Sequence, residues 1–357
     1  MSHPRDVLLG ARPLAVLPVC DHYSGVESRM AKSLALQLEM TQEFGACVFD
    51  VSLDCEDGAP VGGEKDHAQM VVAMVNEHHH RAKVRGEMVR LRTAVRVHPV
   101  DHPAFRDDLS IILGGVADHL CHVMVPKVES VEDVKRVVEV MDTCRPRAMQ
   151  AIDGDQLPIH VLIESPGAVR NAFEIAAHPR VQSLSFGLMD FVSSHGGAIR
   201  ASAMTCNQPS DPDGPGQFDH PLVVRAKLEI SSACHAHGKV PSHCVVTEFA
   251  EAERLRSAAR LALHHFGFTR MWSIHPAQIR PILEALAPAD QEIDQALEIL
   301  LLALKADWAP VSHHGRLHDR ASYRYFWLVL ERAYRTGRKL PQEAQAFFSS
   351  LRVCRTT

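Results

Sequence analysis

Six residues able to do chemistry fall at or just after short apolar runs of this 357-residue chain. Glu56 and Asp57 follow VFDVSLDC, Arg96 lies in AVRVHP, Lys127 in HVMVPKVE, Glu164 ends HVLIE and Asp190 ends SFGLMD. An unpaired carboxylate at the end of a buried strand is costly, so several around one mouth call for a cation or an arginine partner. Glu164 and Asp190, from neighbouring strands, make a hard oxygen site of the kind magnesium accepts while keeping waters or substrate oxygens. The other reading is that each carboxylate belongs to the cap of the helix that follows, as in SPGAVRNAFEIAA after Glu164, which could start with Ser165 as cap and Pro166 at the first helical position. Spacing alone leaves both open. Arg96 presents a planar donor fork suited to a carboxylate, a phosphate or an enolate oxygen. It could equally be a structural partner of Glu56 or Asp57, and an arginine held by carboxylates is also preorganised for a ligand.

The elements that must position these residues are apolar runs rich in Val, Ile and Leu: PLAVLPV, ACVFDVSL, TAVRVHP, HVMVPKVE, IHVLIESP, SLSFGLMD and RMWSIHP, with a weaker one near GKVPSHCVV. Such runs read as buried parallel strands. Between them lie stretches with helical periodicity, such as SVEDVKRVVEVMD and EFAEAERLRSAARLALHHFG. Alternation of this kind is the mark of an α/β fold. The polar residues closing the strands, Asp57, Arg96, Lys127, Glu164, Asp190 and His275, are spaced by 26 to 39 residues and then by 85. A (β/α)8 barrel uses roughly 31 residues per unit, so the last gap holds two units and an insertion, the loop CNQPSDPDGPGQFDHP at 206–221. The expected architecture is a (β/α)8 TIM barrel over residues 1–282 with a C-terminal helical extension, 283–357, broken at APVSHHGRLHDRAS. In such a barrel the strand C-termini converge on one mouth, which brings the charged residues together.

The charge balance, 38 Lys+Arg against 43 Asp+Glu, is too even to suggest nucleic acid or an anionic membrane as partner. The first residues lack the apolar core and cleavage site of a secretory signal, and no run approaches a membrane span, so a cytoplasmic protein is expected. Nine Cys without a C-x-x-C pair fit reduced core thiols. The clusters His78-His79-His80, His264-His265 and His313-His314 invite a metal reading. Adjacent residues on a helix point to different sides, so they are expected to be solvated helix ends or loops instead.

Five blocks, in order, resemble the citrate lyase beta-subunit and malyl-CoA lyase family of the HpcH/HpaI aldolase/citrate lyase superfamily: VSLDCEDGAPVGGEK, AVRVHP, VMVPKVESVEDV, VLIESPGAVRNAFEIAAHPRVQSLSFGLMDF and GFTRMWSIHPAQI. The last has Arg270-Met271 where the family has Gly-Lys. The resemblance implies a carbon–carbon lyase that cleaves, or forms by condensation, a 3-hydroxyacyl-CoA thioester such as malyl-, citramalyl- or citryl-CoA. It implies magnesium, with manganese able to replace it, on Glu164 and Asp190, and Arg96 at the substrate oxygen. Glu56 and Asp57 would order metal-bound waters and the arginine, while Arg12 and Lys127 would join Arg96 in binding substrate. GRLHDRASYRYFWLVLERA resembles the family's lid segment, making Asp319 an acid/base candidate at a neighbouring subunit's mouth, with a plain helix cap as the other reading. A homo-oligomer, trimer or hexamer, would fit such a lid. Arg12 stands in ARPLAVLPV, after which CDHYSG reads as an insertion.

Departures at His98, Met189 and VPSHCVV imply an acyl pocket unlike that of the best-known members. Aldolases of the same superfamily acting on free hydroxy-keto acids use a histidine where this chain has Asp57, and a carboxylate there cannot serve as the same neutral base. A noncatalytic CoA-binding descendant would have no physical need for so many charges at one mouth. No G-x-G-x-x-G follows a strand, which argues against a nicotinamide cofactor.

Overall fold

The computed structural model describes residues 3–10, 17–87, 89–144, 156–206 and 210–348. The first half runs α1 (Pro4–Leu9), β1 (Cys20–Ser24), α2 (Glu27–Phe44), β2 (Phe49–Asp54), α3 (Glu64–Val84), β3 (Thr93–Arg96), α4 (Phe105–Val116), β4 (Leu120–Val125) and α5 (Val131–Cys144). There follow β5 (Ile159–Ile163), α6 (Pro166–Arg170), α7 (Ala172–Ala177), β6 (Val181–Phe186), α8 (Leu188–Ser193), α9 (Pro221–Ala236), β7 (Val240–His243), α10 (Ala252–Phe266), β8 (Arg270–Ser273) and α11 (Ile279–Leu286). Strands β1 to β8 pair in parallel with their neighbours, and β8 closes onto β1, giving the expected (β/α)8 barrel. Helix α5 illustrates the packing: Val134, Val137 and Met141, at helical spacing, turn into the core between strands and helices, while Asp133 accepts from the Glu129 and Ser130 amides at its start.

The first strand corrects the sequence reading. PLAVLPV is not the strand: its described residues, Leu17–Val19, precede β1, and the supposed insertion CDHYSG is β1 itself. Polarity hid it. Asp21 and Tyr23 alternate along β1 and face charged partners inside the barrel, so no apolar run marks the strand. Asp190 also shifts. β6 ends at Phe186, and Asp190 sits in the first turn of α8 rather than at a strand end.

The barrel interior departs from the branched apolar filling usual for the fold. Buried Asp21, Asp50, His122, His160, Ser183 and Arg270 share its lower part. Arg270, fully buried, lies 2.8 Å from Asp21 and 2.7 Å from Asp50, and Ser52 donates to Asp21 at 2.7 Å. Two residues further along their strands, Met124, Leu162 and Trp272 form an apolar layer.

Beyond the barrel lie α12 (Asp290–Lys305), an antiparallel hairpin of β9 (Val311–His313) and β10 (Arg316–His318), α13 (Arg320–Arg335) and α14 (Gln342–Phe348). Their core, built on Ile299, Leu300, Tyr323, Trp327 and Phe348, also takes in Leu8 of α1. The break expected at 309–322 is thus an ordered hairpin, held where the Tyr323 hydroxyl donates to the carbonyls of Ala309 and His318. No helix among the described residues is long and apolar enough to cross a membrane.

Candidate active site

At the C-terminal end of β3, Arg96 gathers the acidic residues of its neighbours. Its Nε donates to Asp54 Oδ1 at 2.6 Å and its Nη2 to Asp54 Oδ2 at 3.0 Å, a two-pronged pairing with the last residue of β2. Nη2 also reaches the Tyr23 hydroxyl and Asp57 Oδ2, each at 2.8 Å, and Nη1 lies 2.9 Å from Glu56 Oε2. The guanidinium carbon stands 4.7 Å from the centre of the Tyr23 ring, and the Tyr23 hydroxyl donates to Asp54. Burial works against the Arg96 charge, but Asp54, Tyr23 and Glu56 outweigh it and hold the group well above its ordinary pKa. Nη1 has two N–H bonds and, among the described residues, Glu56 as the acceptor beside it, which leaves one donor for a ligand oxygen.

The loop after β2 is folded onto this arginine by its own backbone. The amides of Glu56 and Gly58 donate to the two oxygens of Asp54, at 3.0 and 2.8 Å. Gly58 must be glycine, because a Cβ there would sit 2.2 Å from the Gly25 carbonyl oxygen in the loop after β1. Glu56 is buried and bridges Arg96 to Lys127, whose Nζ donates to Glu56 Oε1 at 2.8 Å. Burial raises the Glu56 pKa despite both cations. Asp57 by contrast leaves 69% of its side chain exposed at the mouth.

Lys127 contributes its backbone as well. With φ of 53° it adopts the left-handed region that non-glycine residues seldom enter, a strain that accumulates at functional sites. That turn lets its amide donate to Glu164 Oε2 at 2.6 Å. Ser165 caps α6, accepting from the Ala168 amide at 3.0 Å, so Glu164 is not the cap and its carboxylate turns to the mouth. Glu164 is only 6% exposed. It passes so close to Gly187 that a Cβ there would fall 2.4 Å from Glu164 Cγ. Burial first, then the charges of Asp190 and Glu56, push its carboxyl up to about 7, against the Lys127 amide and Arg96. Asp190 is exposed across from it.

Among the described residues, five carboxylates therefore face two cations at this mouth. A carboxylate held near 7 beside another is what a two-carboxylate cation site looks like without its cation, and the donors are hard oxygens, so magnesium fits the residues present. Six predicted positions, Glu56, Asp57, Arg96, Lys127, Glu164 and Asp190, come together here. Asp319 does not: within the chain it caps α13, accepting from the Ala321 and Ser322 amides at 3.0 and 3.3 Å. Arg12 lies outside the described residues. Sequence reasoning missed Asp54 and Tyr23, the closest companions of Arg96. The signal was present in DVSLD, where polar Asp50, Ser52 and Asp54 alternate within a wholly buried strand and so share its inner face.

This architecture has counterparts. Residues 34–276 match the HpcH/HpaI aldolase/citrate lyase family. The L-malyl-CoA/beta-methylmalyl-CoA lyase of Cereibacter sphaeroides (strain ATCC 17025) is similar, with 31% identity over 248 residues that cover 67% of this chain and 76% of that one. The crystal structure of a citrate lyase from Burkholderia xenovorans LB400 is similar over 98% of this chain and 100% of its own, at 47% identity and a TM-score of 0.76. A Mycobacterium tuberculosis protein, CitE, solved with magnesium, acetoacetate and coenzyme A, shares the fold at 20% identity and a TM-score of 0.60, over 89% and 98% of the two chains. With two thirds of its length inside the family match, the chain belongs to the HpcH/HpaI aldolase/citrate lyase family of carbon–carbon lyases.

Proposed function

We propose that the protein is a magnesium-dependent CoA-ester lyase that cleaves the C2–C3 bond of a 3-hydroxyacyl-CoA of the malyl-CoA class, or forms that bond in reverse. The carrying observation is the charge imbalance at the mouth, where burial and Asp190 hold Glu164 near neutral pH and ask for a dication. Glu164 and Asp190 would hold the ion, with manganese able to replace it; when bound, it supplies positive charge next to the substrate's hydroxyl and carboxylate oxygens. The chain's residues do the rest. Arg96, fixed by Asp54, Tyr23, Asp57 and Glu56, offers its remaining Nη1 hydrogen to the oxygen on which charge grows, at no cost in reorganisation. Asp57, exposed beside it, takes the proton leaving the C3 hydroxyl. Cleavage turns C3 into the carbonyl of a 2-oxo acid and leaves the bond's electron pair on C2 as the enolate of the shorter acyl-CoA, to whose carbon Asp319 of a neighbouring copy returns a proton. That role requires a homo-oligomer, trimer or hexamer. Lys127 and Arg12 contribute to binding the anionic substrate.

The test is cleavage of malyl-, methylmalyl-, citramalyl- and citryl-CoA with and without chelator, with Asp190→Ala as control. Product that depends on magnesium and disappears in the variant supports the reading and identifies the acyl group. Silence on every thioester together with cleavage of a free hydroxy-keto acid, or CoA binding without turnover, overturns it.

A further inference from the structure

We propose that Glu298, His313 and His314 form a second metal site, outside the barrel, selective for a zinc-type divalent ion. The paired histidines lie in the β9–β10 hairpin, so the argument that adjacent residues on a helix diverge does not apply. His313 ends β9, and His314 and Gly315 turn the chain with φ of 48° and 72°. That left-handed turn folds the two imidazoles toward each other, with ring centres 4.1 Å apart. Glu298 rises from α12 beneath them and its Oε2 lies 2.9 Å from His313 Nε2. One ligand atom from each of the three residues falls within 4.8 Å of the other two. Around a tetrahedral ion with bonds near 2.0–2.1 Å, ligand atoms stand about 3.4 Å apart, a spacing between the 2.9 Å of the Glu298–His313 pair and the 4.8 Å bound, within reach of rotation of Glu298 and His314, both exposed.

A second observation points to the same place. His318 pairs with Val311 across the hairpin, which puts it on the same face as His313, one diagonal step away with ring centres 6.2 Å apart. It is 8% exposed, and neither ring nitrogen has a hydrogen-bond partner among the described residues. Buried imidazoles are ordinarily satisfied, so this one is a spare donor beside the His-His-Glu group, outside it in its present rotamer and able to join it by side-chain rotation. Two imidazoles and a carboxylate with a further imidazole is a borderline donor set that suits zinc and leaves magnesium poorly served. The buried group Asp21, His122 and His160 inside the barrel does not qualify, because Arg270 already supplies positive charge 2.8 Å from Asp21. An ion on the hairpin would tie it to α12 and set the position of Asp319, which directly follows β10.

The experiment titrates metal-stripped full-length protein carrying Asp190→Asn, which disables the mouth carboxylates, with zinc by calorimetry and with cobalt by visible absorption. One zinc per chain is expected, with the intense cobalt bands of a four-coordinate site. His313→Ala/His314→Ala should weaken binding by more than the roughly 10–100-fold that loss of a supporting outer partner brings. Glu298→Gln should weaken it as well, and His264→Ala/His265→Ala, a pair on α10, should leave it unchanged. Equal binding by the parent and the His313/His314 variant overturns the proposal, and so does equal binding by Glu298→Gln, which would reduce the site to a surface histidine pair. The single changes Glu298→Gln and His314→Ala, both at exposed positions, keep the test decisive should the double variant lose its circular dichroism.

Discussion

Magnesium binding at the mouth should expel a proton, and the amount is set by Glu164. Its carboxyl titrates near 7 in the metal-free protein because burial and Asp190 oppose its charge. A bound dication reverses that opposition and holds it ionised, so binding competes with protonation. The sign follows: affinity is full above pH 7 and is lost as pH falls through it. With a pKa of about 7, binding should release about 0.9 proton at pH 6, about half a proton at pH 7 and about 0.1 at pH 8. Apparent affinity should fall about tenfold between pH 8 and pH 6. Calorimetry in buffers of different ionisation enthalpy reads both quantities from the same titrations. Glu164→Gln removes the titrating group and a ligand, and should abolish proton release and most binding. Affinity independent of pH, with no proton released and Glu164→Gln still binding normally, would refute both the placement of the ion and the reasoning about burial.

Gly187→Ala adds a Cβ 2.4 Å from Glu164 Cγ, and should lower kcat/KM by about tenfold or more and raise the magnesium requirement in steady-state assays, with little change in melting temperature. Arg96→Lys keeps the charge but loses the fork shared among Asp54, Tyr23 and Asp57; a fall of roughly 100- to 1,000-fold in kcat is expected, and a change confined to KM would count against a transition-state role. Arg270→Met leaves Asp21 and Asp50 without their shared partner and should cost about 3–5 kcal/mol in urea denaturation, while leaving the pH dependence of metal binding intact. If Asp319 acts across subunits, co-refolding Asp319→Ala with Arg96→Lys should recover activity that neither variant shows alone, and its absence would confine Asp319 to capping α13.

The barrel was legible because seven of its strands are short apolar runs bounded by polar residues, a pattern that parallel strands buried on both faces must show. The site was legible for the same reason, since charged residues just past such runs have nowhere to go but one mouth. What escaped notice was whatever sat inside the barrel. β1 carries Asp21 and Tyr23 on its inner face and Asp54 ends β2 facing in, so a search for apolar runs passes over the first and cuts the second short at Leu53. The pairing of Arg270 with Asp21 and Asp50 crosses more than two hundred residues of chain and has no local signature at all. The hairpin at 311–318 shows in the sequence only as a break between helices, because its two strands are three residues each and exposed or half-buried apart from His318, with no apolar run to mark them.

Two acidic groups thus occupy one barrel: in the lower one Arg270 is shared by Asp21 and Asp50, and in the upper one Arg96 and Lys127 stand against five carboxylates. Along β8 the inward positions run Arg270 then Trp272, along β4 His122 then Met124, and along β5 His160, Leu162 and then Glu164. The Met124, Leu162 and Trp272 layer therefore stands between Arg270 and Glu164. Through such a low-dielectric layer the guanidinium has already spent its field on Asp21 and Asp50, each within 2.8 Å. At the mouth, burial, Asp190 and Glu56 act against the Glu164 charge, while the Lys127 amide and Arg96 favour it. Arg96 in turn is divided among three carboxylates and a phenol. The described mouth residues thus carry more negative than positive charge, where a soluble cation and an anionic substrate can arrive together from solvent.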